Sequence, residues 1–112
     1  MKINVGVIFG GRSVENEISV ITAAQTMAAM NEDKYNIVPI YISKEGRWYT
    51  GDKLRSTDNY RDMKALLASV EEVYFRPAYG DNNLYKVRKP LFGSAVATTI
   101  DVILPCLHGT SG

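Results

Sequence analysis

At 112 residues, with 46% hydrophobic and 22% charged positions, the chain has the size and balance of one globular domain. A formal net charge of +1 gives no electrostatic basis for binding nucleic acid or an anionic membrane, and a single cysteine excludes an intrachain disulfide and suits a reducing compartment. No apolar run approaches the length that spans a bilayer, and Lys2-Ile3-Asn4-Val5-Gly6 is not the opening of a signal peptide, so a cytoplasmic protein with no membrane partner is expected.

Ile3 to Phe9 is a short apolar run rich in β-branched residues, as in a strand buried on both faces of a parallel sheet. Gly10-Gly11 then allows positive φ and a close approach of backbone. Ser13 is a plausible helix N-cap, with Glu15 and Glu17 in the first turns, where the helix dipole favours acids. Val20, Ile21, Ala24, Met27 and Ala28 recur at helical spacing and predict the core face, and Asn31 marks the helix end. Asn36 to Ser43 predicts a second strand, which completes a βαβ unit. Pro39 within it argues for an edge position or a bulge.

Lys44-Glu45-Gly46 predicts a hairpin turn into Arg47-Trp48-Tyr49. Gly51 to Tyr60 is polar and reads as loop. Arg61 to Ser69 predicts a short helix with Met63, Leu66 and Leu67 facing inward. Glu72–Arg76 and Leu84–Val87 are expected to pair around Gly80-Asp81-Asn82-Asn83. Leu91 to Thr99 gives no clear pattern. Asp101-Val102-Ile103-Leu104-Pro105 reads as another buried strand. If it lies parallel to the first, Glu15 and His108 reach the same edge of one sheet, where open α/β sheets hold ligands.

The glycine turn matches no phosphate-binding pattern. Gly6 to Ser13 approaches a P-loop in spacing, but Val7-Ile8-Phe9 is apolar strand and Arg12 stands where the lysine is needed. No third glycine follows at the dinucleotide-binding spacing. One histidine and one cysteine do not make a metal site, and Cys106 has no identifiable base partner, so it reads as a small half-buried side chain. Ser13 and Ser19 read as cap and helix hydroxyls. On the residues alone, Glu15 is an acid at a helix N-terminus, an interaction of about 0.3–1 kcal/mol.

Two segments, Phe9-Gly10-Gly11-Arg12-Ser13-Val14-Glu15-Asn16-Glu17-Ile18-Ser19 and Leu104-Pro105-Cys106-Leu107-His108-Gly109-Thr110-Ser111-Gly112, resemble the N-terminal domain of the D-alanine–D-alanine ligases. These are ATP-grasp enzymes of peptidoglycan precursor synthesis. The resemblance implies a three-layer, mostly parallel Rossmann-like α/β sheet flanked by helices, with a β-hairpin addition. Residues 1–112 would be the substrate-binding domain, without the central ATP-grasp and C-terminal domains. The family's second motif continues with Glu-Asp-Gly, beyond Gly112.

By the same resemblance, Glu15 binds the ammonium of the first D-alanine and Ile18 contacts its methyl group, though core packing accounts for Ile18 nearly as well. His108 orients the substrate carboxylate and offsets charge on an acyl phosphate. Glu15 and His108 are thus the implied catalytic residues, and Glu17 is structural. ATP and Mg2+ would be held by the other domains, so this chain alone is expected to bind neither and not to catalyse. A homodimer, formed partly through this domain, is also implied. D-alanine–D-lactate and D-alanine–D-serine ligases remain alternatives, since the second substrate is chosen beyond Gly112. A non-catalytic Rossmann-like binding module is the alternative from outside the enzyme class.

Overall fold

Residues 1–107 are described in a computed structural model. Strand β1 (Ile3–Gly10) leads into helix α1 (Asn16–Ala29), and β2 (Tyr35–Ile42) returns parallel to β1 in unbroken register from Ile3 opposite Tyr35 to Gly10 opposite Ile42. Strand β3 (Trp48–Thr50) folds back on β2 through the expected Lys44–Gly46 turn. Two short 3-10 helices, Asp52–Arg55 and Thr57–Arg61, and helix α2 (Met63–Ala68) follow. Strands β4 (Glu71–Phe75), β5 (Asn83–Lys86) and β6 (Val96–Thr99) form an antiparallel run, and β7 (Val102–Pro105) crosses to pair with β1. The sheet order is β6-β5-β4-β3-β2-β1-β7.

Period-two alternation in β1 and β2 divides the core. Val5, Val7, Phe9, Ile37 and Tyr41 meet Val20, Ala23 and Met27 of α1, with Leu54 and Leu66 completing the cluster. On the opposite face Ile8 and Ile40 pack with Val73, Leu84 and Ile100. The α/β class is as expected, with two refinements. Only β2, β1 and β7 are mutually parallel; from β2 onward each strand pairs antiparallel with the next, β3 reaching β4 through the 3-10 turns and α2, until β7 returns to β1. Among the described residues both α-helices contribute to one core cluster, and the other is built without them.

Several local expectations change. Helix α1 begins at Asn16, not after a Ser13 cap; Ser13 instead turns the chain, its carbonyl accepting from the Asn16 N–H and its hydroxyl from the Glu15 N–H. The buried stripe of α1 is Asn16, Ser19, Val20, Ala23 and Met27, so Ile21 and Ala28 face outward. Pro39 lies inside β2 with no bulge. Its carbonyl, on the β3 side, takes the Thr50 hydroxyl at 2.6 Å just where the β3 ladder ends, so its missing N–H breaks no ladder bond. Strand β7 is parallel to β1 as expected but is an exposed edge. Val102 and Ile103 keep 50% and 43% of their surface, because nothing among the described residues covers their flanks.

Gly51 to Tyr60 is not plain loop but carries the two 3-10 turns, in which Leu54 is buried and the Tyr60 hydroxyl donates to the Leu54 carbonyl at 2.7 Å. Helix α2 falls within 61–69 and is capped by Asp62, whose carboxylate accepts from the Ala65 N–H. The 91–99 stretch resolves into an exposed Leu91 and Phe92 and then β6. Among the described residues no helix is long and apolar enough to cross a membrane.

The turn leaving β1 is the tightest constraint on the fold. Gly10 has φ +93°, and a Cβ there would run into the Ile42 carbonyl oxygen and the Tyr41 ring. Gly11 has φ +111° but open space around it. Gly10→Ala should therefore cost about 3 kcal/mol, combining left-handed strain with a backbone clash, and Gly11→Ala only about 1–2 kcal/mol from strain alone. Urea unfolding of the two variants checks the order and the gap.

Candidate substrate site at the strand ends

Strands β2, β1 and β7 end together, and α1 starts directly beyond them. The junction is fastened by two buried polar side chains. Ser19 is fully buried; its hydroxyl accepts from the Gly10 N–H at 2.7 Å and donates to the Cys106 carbonyl at 2.9 Å. The Cys106 N–H in turn donates to the Ile8 carbonyl at 2.7 Å. Asn16, 2% exposed, donates to the carbonyls of Gly11 (2.7 Å) and Ile42 (3.2 Å) and accepts from the Tyr41 hydroxyl (3.0 Å). Gly11 N–H closes onto the Ile42 carbonyl at 2.8 Å.

These bonds decide what the glycine turn can do. Both of its N–H groups are used, Gly10 on Ser19 and Gly11 on Ile42, so the turn offers no amide cradle to a phosphate. No group of three or more His, Cys, Asp or Glu gathers among the described residues. Among the described residues, then, neither an amide cradle for a phosphate nor an acidic cluster for a divalent cation is formed.

Glu15 is the residue just before α1 and is half-buried; among the described residues its carboxylate has no hydrogen-bond or ion-pair partner. Ile18, three residues on and so on the neighbouring part of the same face, is 53% exposed. It belongs to neither core cluster, which removes the packing explanation. Glu17 ion-pairs with Lys44 at 2.8 Å, and that hydrogen bond lowers the Glu17 pKa and raises that of Lys44. Both are well exposed, so the pair contributes little to stability. Cys106 is half-buried, as its sequence context suggested. His108 lies outside the described residues.

Sequence reasoning missed Asn16 and underestimated Ser19. The available signal was spacing: both precede Val20 and Ala23 on one helical stripe, so two small polar residues head a buried apolar row.

A family model for the D-ala D-ala ligase N-terminus matches residues 4–112. The chain belongs to this family. A D-alanine–D-alanine ligase from Thermosipho melanesiensis is 37% identical over 98% of this chain, which spans 29% of that relative. One from Geobacillus thermodenitrificans is 38% identical over the whole chain and 29% of its own length. Among solved structures, the D-alanine–D-alanine ligase from Coxiella burnetii superposes with a TM-score of 0.75 at 28% identity, over 99% of this chain and 30% of its own. The VanG D-Ala:D-Ser ligase from Enterococcus faecalis gives 0.73 at 25% identity, over 97% and 30%. The chain thus spans less than a third of the length of these relatives, and the ligase N-terminus fold extends to a ligase named for a different second substrate.

Two predictions rest on these and neighbouring buried polar groups. Ser19→Ala leaves the Gly10 N–H and the Cys106 carbonyl without their buried partner and should cost about 1–3 kcal/mol in urea unfolding, with faster hydrogen exchange at Gly10. Burial raises the pKa of Tyr41, Tyr49 and Tyr60 above the ordinary 10.0, most strongly at Tyr60. These phenols stay neutral in the fold while their unfolded counterparts ionise. The stability they contribute is complete below pH 10 and is lost as pH rises above it. Ultraviolet titration should show Tyr41, Tyr49 and Tyr60 ionising late, in step with alkaline unfolding.

Proposed function

We propose that this chain supplies the first-substrate site of an ATP-dependent D-alanine–D-alanine ligase. The observation that carries the reading is Glu15: a half-buried residue whose carboxylate has no partner among the described residues, at the ends of parallel strands, in a domain of this family. An amino acid zwitterion needs a fixed anion for its ammonium, and a charge-assisted hydrogen bond is about twice as strong as a neutral one. Glu15 accepts from the ammonium of the first D-alanine. Ile18 meets its methyl group. The family resemblance gives His108, two residues along the chain from the Ser19-bound Cys106, the role of orienting the substrate carboxylate and offsetting negative charge as that carboxylate is activated.

The reaction joins the carboxylate of one D-alanine to the amine of a second, with ATP supplying the activation and Mg2+ its charge balance. Both would be held by parts of the enzyme outside this chain, since the glycine turn has spent its amides. The domain's own work is to bind and orient the first D-alanine at its edge and to help exclude water there. A cytoplasmic location and a homodimer that includes this domain accompany the reading. The second substrate is chosen elsewhere, so a D-alanine–D-serine or D-alanine–D-lactate ligase would use the same first site.

A chimera tests this. Residues 1–112 replace the matching segment of the Geobacillus thermodenitrificans ligase, to which they are 38% identical. The chimera should form D-alanyl-D-alanine with ATP, and Glu15→Gln should lower kcat/KM for D-alanine by about a hundredfold or more, as expected for loss of a charged hydrogen bond of about 3 kcal/mol. The 112-residue chain alone should release no ADP. A folded, inactive chimera, or one indifferent to Glu15→Gln, would contradict the proposal.

A further inference from the structure

A cavity lies on the other flank of α1. It is a cleft of about 480 Å3 between α1, the end of β2, the Thr57–Arg61 turn and α2. Glu15, Ile18 and Cys106 take no part in its lining, so it is separate from the substrate site. Its volume is that of a small-molecule pocket, roughly 300–1,000 Å3.

The cleft is pre-formed. Tyr41 and Tyr60 meet edge to face with ring centroids 5.4 Å apart. The hydroxyl of each is held from behind, Tyr41 by Asn16 at 3.0 Å and Tyr60 by the Leu54 carbonyl at 2.7 Å. Ile21, Met63 and Leu67 add aliphatic wall. Ile21 is the large residue that departs from the expected core face of α1, 52% exposed where the apolar pattern predicted burial, and the cleft is where it lies.

The charges are unequal across the opening. Glu17 and Lys44 neutralise each other at 2.8 Å, with Glu45 beside them. Arg61 and Lys64, three residues apart, also line the cleft but make no ion pair or hydrogen bond among the described residues. An apolar, aromatic-walled cleft with two unpaired cations on one rim suits an amphipathic anion. Glu45, the lining acid left beside the neutralised Glu17–Lys44 pair, disfavours a polyanion such as a polyphosphate, since like charges would meet there.

We propose that this cleft is a second ligand site, for an organic monocarboxylate with an aromatic or branched apolar body. The body lies on Ile21, Met63 and Leu67 against the Tyr60 ring, and Arg61 and Lys64 take the carboxylate, the guanidinium in a bidentate pair.

The probe is 4-phenylbutyrate, titrated into the 112-residue chain labelled with 15N and with 13C-methyl groups. Saturable shifts of the Ile21, Met63 and Leu67 methyls are expected, with a dissociation constant of about a millimolar. The neutral 4-phenylbutanol and inorganic phosphate should each bind at least about fivefold more weakly, because each lacks one half of the recognition. Arg61→Gln/Lys64→Gln should remove the preference for the acid over the alcohol while leaving methyl shifts elsewhere unchanged. Arg61→Gln alone serves if the double variant unfolds. Equal binding of acid and alcohol, shifts confined to other residues, no shift up to about 20 mM, or an unaltered preference in the charge variants would each overturn the site.

Discussion

One hydroxyl holds the functional edge of this domain together. Ser19 joins β1, α1 and the end of β7 through two hydrogen bonds, and its partner Cys106 is 87 residues away along the chain. No charge is involved, and the side chain is fully buried. Each such bond contributes only about 1 kcal/mol net, but leaving its partners unmade costs more than making them gains. The junction is therefore exacting: a helix start, a glycine turn and a distant strand end must arrive together or leave buried polar groups open. Asn16 repeats the device on the other side, tying the same turn to β2.

That fastening shapes the chemistry. A glycine turn before a helix usually invites a phosphate, because free amides and the helix dipole point at it. Here the amides of Gly10 and Gly11 are spent on Ser19 and Ile42. What remains at the edge is side-chain chemistry: the Glu15 carboxylate and the exposed Ile18. A polar anchor beside an apolar contact suits a small amino acid better than a nucleotide. The same helix presents Ile21 and Glu17 to the cleft on its other flank, so one element serves two surfaces.

Much of this was legible in the residues. Strands with a clear apolar rhythm, β1, β2 and the β4–β5 hairpin, fell where expected, as did the pairing of β7 with β1. Periodicity failed where apolar residues do something other than fill the core. Ile21 is outward on α1, and Val102 to Leu104 form an exposed edge. It failed in the opposite sense at Asn16 and Ser19, where polar residues are buried because backbone groups from distant strands need them. Such partners are set by tertiary contact and leave only a spacing in the sequence. Pro39 was misread for a related reason: its effect depends on where a neighbouring ladder stops, which no local pattern records.

The central claim is that Glu15 reads the ammonium of D-alanine at this edge. A titration of the 15N-labelled chain with D-alanine, alongside D-lactate, tests it most directly, since D-lactate keeps the methyl and carboxylate but replaces the ammonium by a hydroxyl. The account predicts saturable amide shifts at Glu15, Asn16 and Ile18 with D-alanine at about millimolar or weaker affinity, lost with D-lactate and in Glu15→Gln. Equal shifts with both ligands, or D-alanine shifts that survive Glu15→Gln, would contradict it.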